Sequence, residues 1–205
     1  MAKKSDASLP VSANNPCPFL RALVAQGKLA DDAEPLGKLT SVIVEVAKRG
    51  EGSPALPALA IYGVALIANG LGPLSVANTQ FNGLKLNALR GGPLDKKGVG
   101  SGILDSHGKV DKKELARLGE FASDKLDAAG QSEPGLALPE LRAYMDANFG
   151  RAADHRRLVD RQLMNGEWPI LLKVMGKKGR KGRYLSLKEV QDLFTLRRLP
   201  RRMGA

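Results

Sequence analysis

A helix start is encoded in the stretch Val110-Asp111-Lys112-Lys113-Glu114-Leu115, where an N-capping side chain is followed three positions later by glutamate. In such a capping box the aspartate accepts a free backbone N–H, and the glutamate reaches back to the N–H of the capping residue. The same spacing recurs at Leu185-Ser186-Leu187-Lys188-Glu189-Val190, and a related start without the polar cap stands at 136–141. In all three, apolar residues five positions apart are placed to form a hydrophobic staple. The recurrence predicts helices rather than duplicated domains.

Helical signals extend over most of the chain, so the sequence predicts an all-α fold. The predicted helices span 17–26, 36–49, 56–69, 112–129, 139–148, 152–164, 168–175 and 187–196, with one short helix at 84–90. Residues 70–104 are otherwise expected to be irregular, because they are rich in glycine and asparagine. No stretch alternates apolar and polar residues as a half-buried strand does. The expected organisation is a flexible arm over residues 1–15 and a single compact helical domain over 16–203.

Composition sets limits on the class of protein. The 205 residues are 43% apolar, which excludes a wholly disordered chain and is sufficient for one core. Lys and Arg number 32 against 21 Asp and Glu, so the net charge is +11, and aromatic residues are too few for base-stacking platforms. No apolar run is long enough to cross a bilayer, and no secretory signal is visible. The single cysteine, Cys17, cannot form an internal disulfide, and the expected location is the cytoplasm.

Cys17 stands in the stretch Asn15-Pro16-Cys17-Pro18-Phe19-Leu20, at the predicted start of the first helix. If Cys17 caps this helix, Pro18 takes the first helical position, where its missing N–H costs nothing. The sulfur then faces the free N–H groups of Phe19 and Leu20 at the positive helix end, which favours the thiolate. A thiolate in this setting is a good ligand for iron. The alternative is that Cys17 is a small buried apolar residue at a helix start.

The motif Pro16-Cys17-Pro18-x-Leu20-x-x-Leu23, followed by Gly27, resembles the proximal motif of the heme-thiolate peroxidases, the family of chloroperoxidases and unspecific peroxygenases. Two further blocks follow in the family's order: 102–110 resembles its Glu-His-Asp-Gly-Ser-Leu block, and 193–200 resembles its closing Phe-x-x-Glu-x-Arg-Leu-Pro. The chain departs from the family at Arg21, where the family has asparagine, and at Gln26, where it has histidine.

The resemblance implies a function as well as a cofactor. It implies that the protein binds heme b with Cys17 as the axial iron ligand and with Phe19 and Leu20 beside it. It also implies an enzyme, a heme-dependent peroxidase or peroxygenase that uses hydrogen peroxide to oxidise or oxygenate small organic substrates.

The 102–110 block is where the resemblance implies contacts to the heme propionates. In the family, the acid of this block and a serine help to bind a magnesium ion beside a propionate. Here the acid is Asp105 and Lys109 stands at the serine position, so an ammonium is expected to replace Mg²⁺ in cofactor binding. The block also resembles the second half of an EF-hand loop ending at Glu114, although Ile103 stands at the first ligand position. A weak calcium-responsive module is therefore an alternative.

The resemblance assigns proton transfer to Glu167, in the stretch Asn165-Gly166-Glu167-Trp168-Pro169. Its apolar neighbours are expected to desolvate the carboxyl group. His107 is the first candidate partner, because it lies one residue after the position of the family's catalytic histidine. Arg161 is the second, provided that the helix breaks at 165–166, since six residues along a continuous helix lie on different faces. Alternatively, Glu167 is a helix first-turn residue stabilised by the dipole alone.

Basic residues are concentrated near the end of the chain. Residues 173–202 hold 11 Lys or Arg against 2 Asp or Glu. Such a cluster attracts phosphate backbones, anionic lipid surfaces or carboxylate substrates. The rival function, from another class, is therefore a heme-free helical protein that docks on nucleic acid or an anionic membrane through this region.

Overall fold

The computed structural model describes residues 9–50, 57–95, 100–154, 157 and 159–204. The α-helices in this part of the chain are α1 (Pro18–Ala25), α2 (Leu36–Arg49), α3 (Ala58–Ile67), α4 (Pro73–Asn82), α5 (Lys112–Glu120), α6 (Leu138–Arg151), α7 (Asp160–Met175) and α8 (Leu187–Leu196). The β-strands are β1 (Ser123–Leu126), β2 (Ser132–Leu136), β3 (Lys177–Gly179) and β4 (Gly182–Ser186). Short 3-10 turns occur at Leu86–Ala88 and Arg201–Met203.

The all-α prediction is wrong, because the strands form one four-stranded antiparallel sheet in the order β1-β2-β4-β3. The helix predicted over 112–129 ends at Glu120, and β1 begins at Ser123. The strands are short and rich in charge and glycine, as in the Lys-Lys-Gly of β3, so they carry no alternating apolar pattern. They form two hairpins, β1–β2 and β3–β4, which are joined by pairing between the distant β2 and β4, and local periodicity does not report such pairing.

The two outer strands of the sheet, β1 and β3, are joined at one end by a single bridge. Gly135 and Leu136 of β2 pair with Ser186 and Leu185 of β4, and β4 pairs in turn with β3. A bridge between Asp127 and Gly179 then brings the outer strand β3 back to the end of β1. Few ladder groups of β1 and β3 are therefore left open at that end.

Polar groups of three strands meet at Glu133 of β2. Its carboxylate accepts hydrogen bonds from the hydroxyls of Tyr184 and Ser186, at 2.7 Å each, and from Lys177. Burial opposes ionisation of Glu133, but these donors outweigh burial and lower its pKa. Ser186 precedes α8 as expected, yet its side chain makes no cap hydrogen bond because its hydroxyl is bound to Glu133.

Aromatic rings join the helices behind the sheet. The rings of Phe121 and Tyr144 lie 5.4 Å apart, and Tyr144 meets Trp168 edge-on at 5.6 Å. Trp168 in turn lies 6.4 Å from Phe194, so α6, α7 and α8 share one aromatic row. This row belongs to a buried cluster that extends from Phe19 to Met203.

Several helix boundaries follow from the sequence, and others do not. The predicted bounds of α2 and α8 are confirmed, and Asp111 caps α5 by accepting the N–H groups of Lys113 and Glu114. The two helices predicted over 152–164 and 168–175 are one helix from Asp160 to Met175, with Pro169 inside it; residues 155, 156 and 158 lie outside the described part. Helix α4 lies in the stretch predicted to be irregular.

The described part of the predicted arm is bound to the domain. Residues 1–8 lie outside the described residues. The N–H of Leu9 donates to the carbonyl of Ala25 at 2.9 Å, and the N–H of Ser12 donates to Asp31 Oδ2 at 2.7 Å. Residues 9–15 thus pack beside α1 instead of extending into solvent.

Candidate functional site

Cys17 occupies the N-cap position of helix α1, with Pro18 at the first helical position, as the sequence predicts. The residue is half-buried, and its N–H donates to Asn15 Oδ1 at 3.2 Å. The sulfur makes no cap hydrogen bond, so the expected N–H contacts from Phe19 and Leu20 are not formed. Phe19 is instead buried in the core, and Leu20 is half-buried against it.

Arg21, one turn into α1, is the residue that joins the separate blocks of sequence. Its guanidinium is 3% exposed and donates to the carbonyls of Ser12 at 2.7 Å, Asn15 at 3.1 Å and Gly108 at 3.3 Å. Burial lowers the pKa of Arg21, and the nearby charge of Arg197 lowers it further. The start of α1 and the 105–109 turn therefore meet at one side chain, and α8 packs against α1.

Arg90 makes a second connection at the same place. Its guanidinium donates to the carbonyl of Ala13 at 3.1 Å and to that of Asp105 at 2.5 Å. We call Arg21 and Arg90 together the arginine junction. Within the described part of the chain, both guanidiniums donate to backbone carbonyl oxygens and to no carboxylate, although the negative charge of Asp31 acts on Arg21. With the positive end of α1 beside it, the junction is suited to hold an anion.

Asn15 adds an unsatisfied donor beside Cys17. The residue is fully buried, and its Oδ1 is occupied by the N–H of Cys17. Its Nδ2 is buried with no hydrogen-bond partner among the described residues. A buried amide donor without a partner costs about 1–3 kcal/mol, so this position favours an acceptor.

The 105–109 turn is closed by its own aspartate. Asp105 Oδ1 accepts the N–H groups of His107 and Lys109 at 2.8 Å each, and the bond from Lys109 is the main cause of the lowered pKa of Asp105. Gly108 completes the turn with φ +70, a conformation that favours glycine. The side chains of His107 and Lys109 are exposed.

Glu114 on α5, which ends the stretch that resembles an EF-hand loop, is bound by two arginines. Its carboxylate is engaged by Arg151 through two contacts of 2.8 Å and by Arg117 Nε at 3.1 Å. The bonds from Arg151, followed by those from Arg117, lower the pKa of Glu114 to about 2. Among the described residues no group of three or more His, Cys, Asp or Glu side chains is arranged to hold a metal ion. Glu114 is thus a structural link between α5 and α6.

Glu114→Gln is expected to lower the free energy of unfolding at neutral pH by about 1–2 kcal/mol. The folded pKa of Glu114 is lowered, so its stabilisation is present above the unfolded pKa of about 4.3 and is lost as the pH falls through about 2. Urea unfolding from pH 7 to pH 2 measures this difference. The exposed Glu120 of the same helix gives the control Glu120→Gln, and equal effects of the two variants would contradict the assignment.

Glu167 and Arg161 both lie on α7, which continues without a break through residues 165 and 166. The predicted pairing of these two side chains required a helix break at 165–166, and the continuous helix does not provide it. Arg161 instead contacts Asp146 at 2.5 Å and lies over the ring of Phe149. Glu167 is half-buried near Tyr144. Burial is the main cause of the raised pKa of Tyr144, and the negative charge of Glu167 adds to it.

Part of the basic 173–202 segment has structural contacts. Lys177 binds Glu133, Arg202 binds Glu189 and the carbonyl of Met175, and Arg183 binds the carbonyl of Gly176. Arg180 and Lys181, in the turn between β3 and β4, are exposed. The charge available to an anionic partner is thus smaller than the sequence suggests.

Sequence reasoning missed the arginine junction and Asn15. Arg21 appears in the sequence only as a departure from the heme-thiolate pattern, and nothing marks Arg90. Both arginines donate to backbone carbonyl oxygens of distant residues. Every residue has such an oxygen, so the sequence does not indicate which residues serve as partners. The buried position of Arg21 on the apolar face of α1 is the one sign that could have identified it.

Comparison with known proteins gives no match: no protein-family model, no curated protein and no solved structure matches the chain. Within the described residues, no helix combines the length and apolar character needed to cross a membrane.

Proposed function

We propose that the protein is a heme-thiolate peroxidase or peroxygenase that uses hydrogen peroxide on small organic substrates. One observation carries the proposal: Arg21 donates to the carbonyls of Asn15 and Gly108, and helix α8, which holds the first half of the third block, packs against α1. The three blocks that resemble the family are therefore adjacent, although they are far apart in the chain. A shared site explains this adjacency more directly than three unrelated likenesses.

The donors at this place fit a heme. A thiol at Cys17 supplies one soft ligand for iron. The cations of the arginine junction, bound only to carbonyls, offset the two propionate carboxylates, which would otherwise be costly near a protein interior. The Nδ2 of Asn15 offers a buried donor that has no partner among the described residues. When bound, the heme would supply the peroxide chemistry.

In this proposal each residue has a distinct task. Cys17 would ligate the iron, and the exposed Lys109 would offset the charge of a propionate, while Asp105 fixes the turn through its two accepted N–H bonds. Since the cations come from side chains, no Mg²⁺ is required for charge balance. Glu167 takes and returns the proton of the peroxide, and His107 is its proposed partner. A cytoplasmic location would keep the Cys17 thiol reduced.

Titration with hemin tests the proposal. The purified protein is expected to bind hemin in equal molar amount. After reduction with dithionite and addition of carbon monoxide, it should show the strongly red-shifted Soret band of thiolate ligation. Binding should survive prior treatment with a metal chelator. A histidine-type spectrum, or no hemin binding, would reject the proposal.

Glu167→Gln is expected to slow peroxide turnover by about 10²–10⁴-fold, because it removes a positioned proton-transfer group. The hemin spectrum should remain that of the wild type, since Glu167 does not ligate the iron. Peroxidase assays of Glu167→Gln and of the surface control Glu120→Gln measure the effect. If Glu167→Gln retains turnover within about twofold of the control, proton transfer belongs to another residue.

A second candidate function is docking on a polyanion through the 173–202 region. The exposed Arg180 and Lys181 at the tip of the β3–β4 hairpin favour it. Failure of hemin to bind, together with salt-sensitive binding to nucleic acid that Arg180→Glu weakens, would support this second candidate.

A further inference from the structure

Large apolar side chains project from the hairpin of α3 and α4. Leu59 on α3 is 87% exposed, and on α4 Leu74 and Phe81 are 87% and 84% exposed. Leu71, in the turn between the helices, is 67% exposed. Leu74 and Phe81 are seven positions apart, two turns of helix, so they share one face of α4. Side chains of this size and exposure, grouped on one element, mark an interaction surface.

The hairpin also lacks charge. Residues 57–84 contain no Lys, Arg, His, Asp or Glu, although the whole chain is strongly charged. No ionic group would therefore have to be desolvated if this surface entered an apolar medium.

The rest of the fold holds the hairpin in place. Helix α3 packs against α2, and α4 packs against α3. The hydroxyl of Tyr62 on α3 donates to Gln80 Oε1 on α4 at 2.8 Å. Asn69 bonds the backbone of Lys85 in both directions, at 2.8 and 3.0 Å, which fixes the turn region to the segment after α4. The apolar side chains thus project from a fixed scaffold.

Basic side chains flank the same layer. Lys48 and Arg49 end α2 and are exposed, with Arg49 paired to Glu45, and the exposed Lys85 follows α4. The 3-10 turn at Arg201–Met203 packs on α2, which adds the exposed Arg201. The apolar surface suits the acyl layer of an anionic bilayer, and the basic side chains beside it suit the negatively charged headgroups.

We propose that the α3–α4 hairpin docks on an anionic lipid bilayer, with its apolar side chains in the acyl boundary and the flanking cations at the headgroups. Charge decides between this partner and a second copy of the chain. Two copies each carry a net charge of +11 and repel one another, whereas an anionic surface attracts the protein. Docking would be at the surface, in agreement with the lack of a described helix that could cross a membrane.

Vesicle co-sedimentation tests the proposal with the full chain. Binding to phosphatidylcholine vesicles that contain about 30% phosphatidylglycerol should be stronger than binding to pure phosphatidylcholine. The double variant Leu74→Ser/Phe81→Ser should bind the anionic vesicles at least about tenfold more weakly. Leu196→Ser, which changes an exposed leucine of α8, is the matched control and should bind as the wild type does. Lys48→Glu/Lys85→Glu should weaken binding to the anionic vesicles alone.

Depth of insertion gives a second measurement. In Phe81→Trp, lipids brominated on the acyl chain should quench the new fluorescence, while the native Trp168, at 2% exposure, should be unaffected. Equal vesicle binding by wild type and Leu74→Ser/Phe81→Ser would overturn the proposal. So would a dimer in light scattering that this double variant dissociates, without any vesicle binding, because the surface would then join two copies. Hemin binding is measured separately, so failure here is distinguishable from failure of the proposed function.

Discussion

Replacement of Cys17 by alanine is expected to abolish the red-shifted ferrous carbon monoxide band and to weaken hemin binding by at least about 100-fold. Loss of groups that merely support a metal ligand costs about 10–100-fold in affinity, and loss of the ligand itself should cost more. Cys17 is the sole cysteine, so no other thiol can replace it. Because alanine removes only the sulfur from a half-buried position, the fold should be retained.

Absorption spectra and hemin titration of the wild type, Cys17→Ala and Cys17→Ser measure this effect. The serine variant keeps the size of the side chain and removes the soft ligand, so it separates ligation from packing. Circular dichroism and thermal unfolding verify that all three proteins are folded. Hemin binding by Cys17→Ala with wild-type affinity and spectrum would show that Cys17 is a structural residue of the α1 start.

Arg21→Leu is expected to lower the free energy of unfolding by about 3 kcal/mol or more. The change leaves the buried carbonyls of Ser12, Asn15 and Gly108 without their donor, and a bond to a charged donor contributes about 1.5–3 kcal/mol. Leucine also suits the apolar face of α1, so the loss reports the hydrogen bonds more than the packing. The stability of Arg21→Lys should lie between that of the wild type and that of Arg21→Leu, because an ammonium cannot span all three carbonyls.

Urea unfolding of Arg21→Leu, Arg21→Lys and the exposed control Arg142→Leu measures the effect. Arg142 lies on the outer face of α6, and its replacement should change the free energy of unfolding by less than about 0.5 kcal/mol. If the arginine junction also holds the propionates, Arg21→Lys should weaken hemin binding beyond its effect on stability. Equal stabilities of Arg21→Leu and Arg142→Leu would show that the blocks meet without help from Arg21.

Helix starts and ends were predictable where local chemistry determines them. Asp111 caps α5 as its sequence pattern indicates, and α2 and α8 have the predicted bounds. Pro18 at the first position of α1 also follows from its fixed φ. In these cases the residues that decide the structure are neighbours in the chain.

The sheet and the site depend instead on residues that meet only in the fold. A Cβ at Gly135 would overlap the ring of Tyr184, so this glycine serves a close approach between β2 and β4 that the sequence does not reveal. In the same way, Arg21 is recognisable as a departure from the motif that the segment resembles, but its three carbonyl partners are not. The sequence predicts two helices, over 152–164 and 168–175, whereas α7 runs continuously from Asp160 to Met175 and accommodates Pro169.

The order of the strands has a consequence for synthesis of the protein. Strands β2 and β4 pair across the whole of α6 and α7, so the sheet has high contact order. On the ribosome, the β1–β2 hairpin emerges long before its partners, and a two-stranded hairpin alone is marginally stable in water. Until residue 186 has been translated, Glu133 lacks Lys177, Tyr184 and Ser186, and the nascent chain exposes an unfinished sheet. Chaperones are therefore expected to contact nascent chains that end between β2 and β4 more than completed ones.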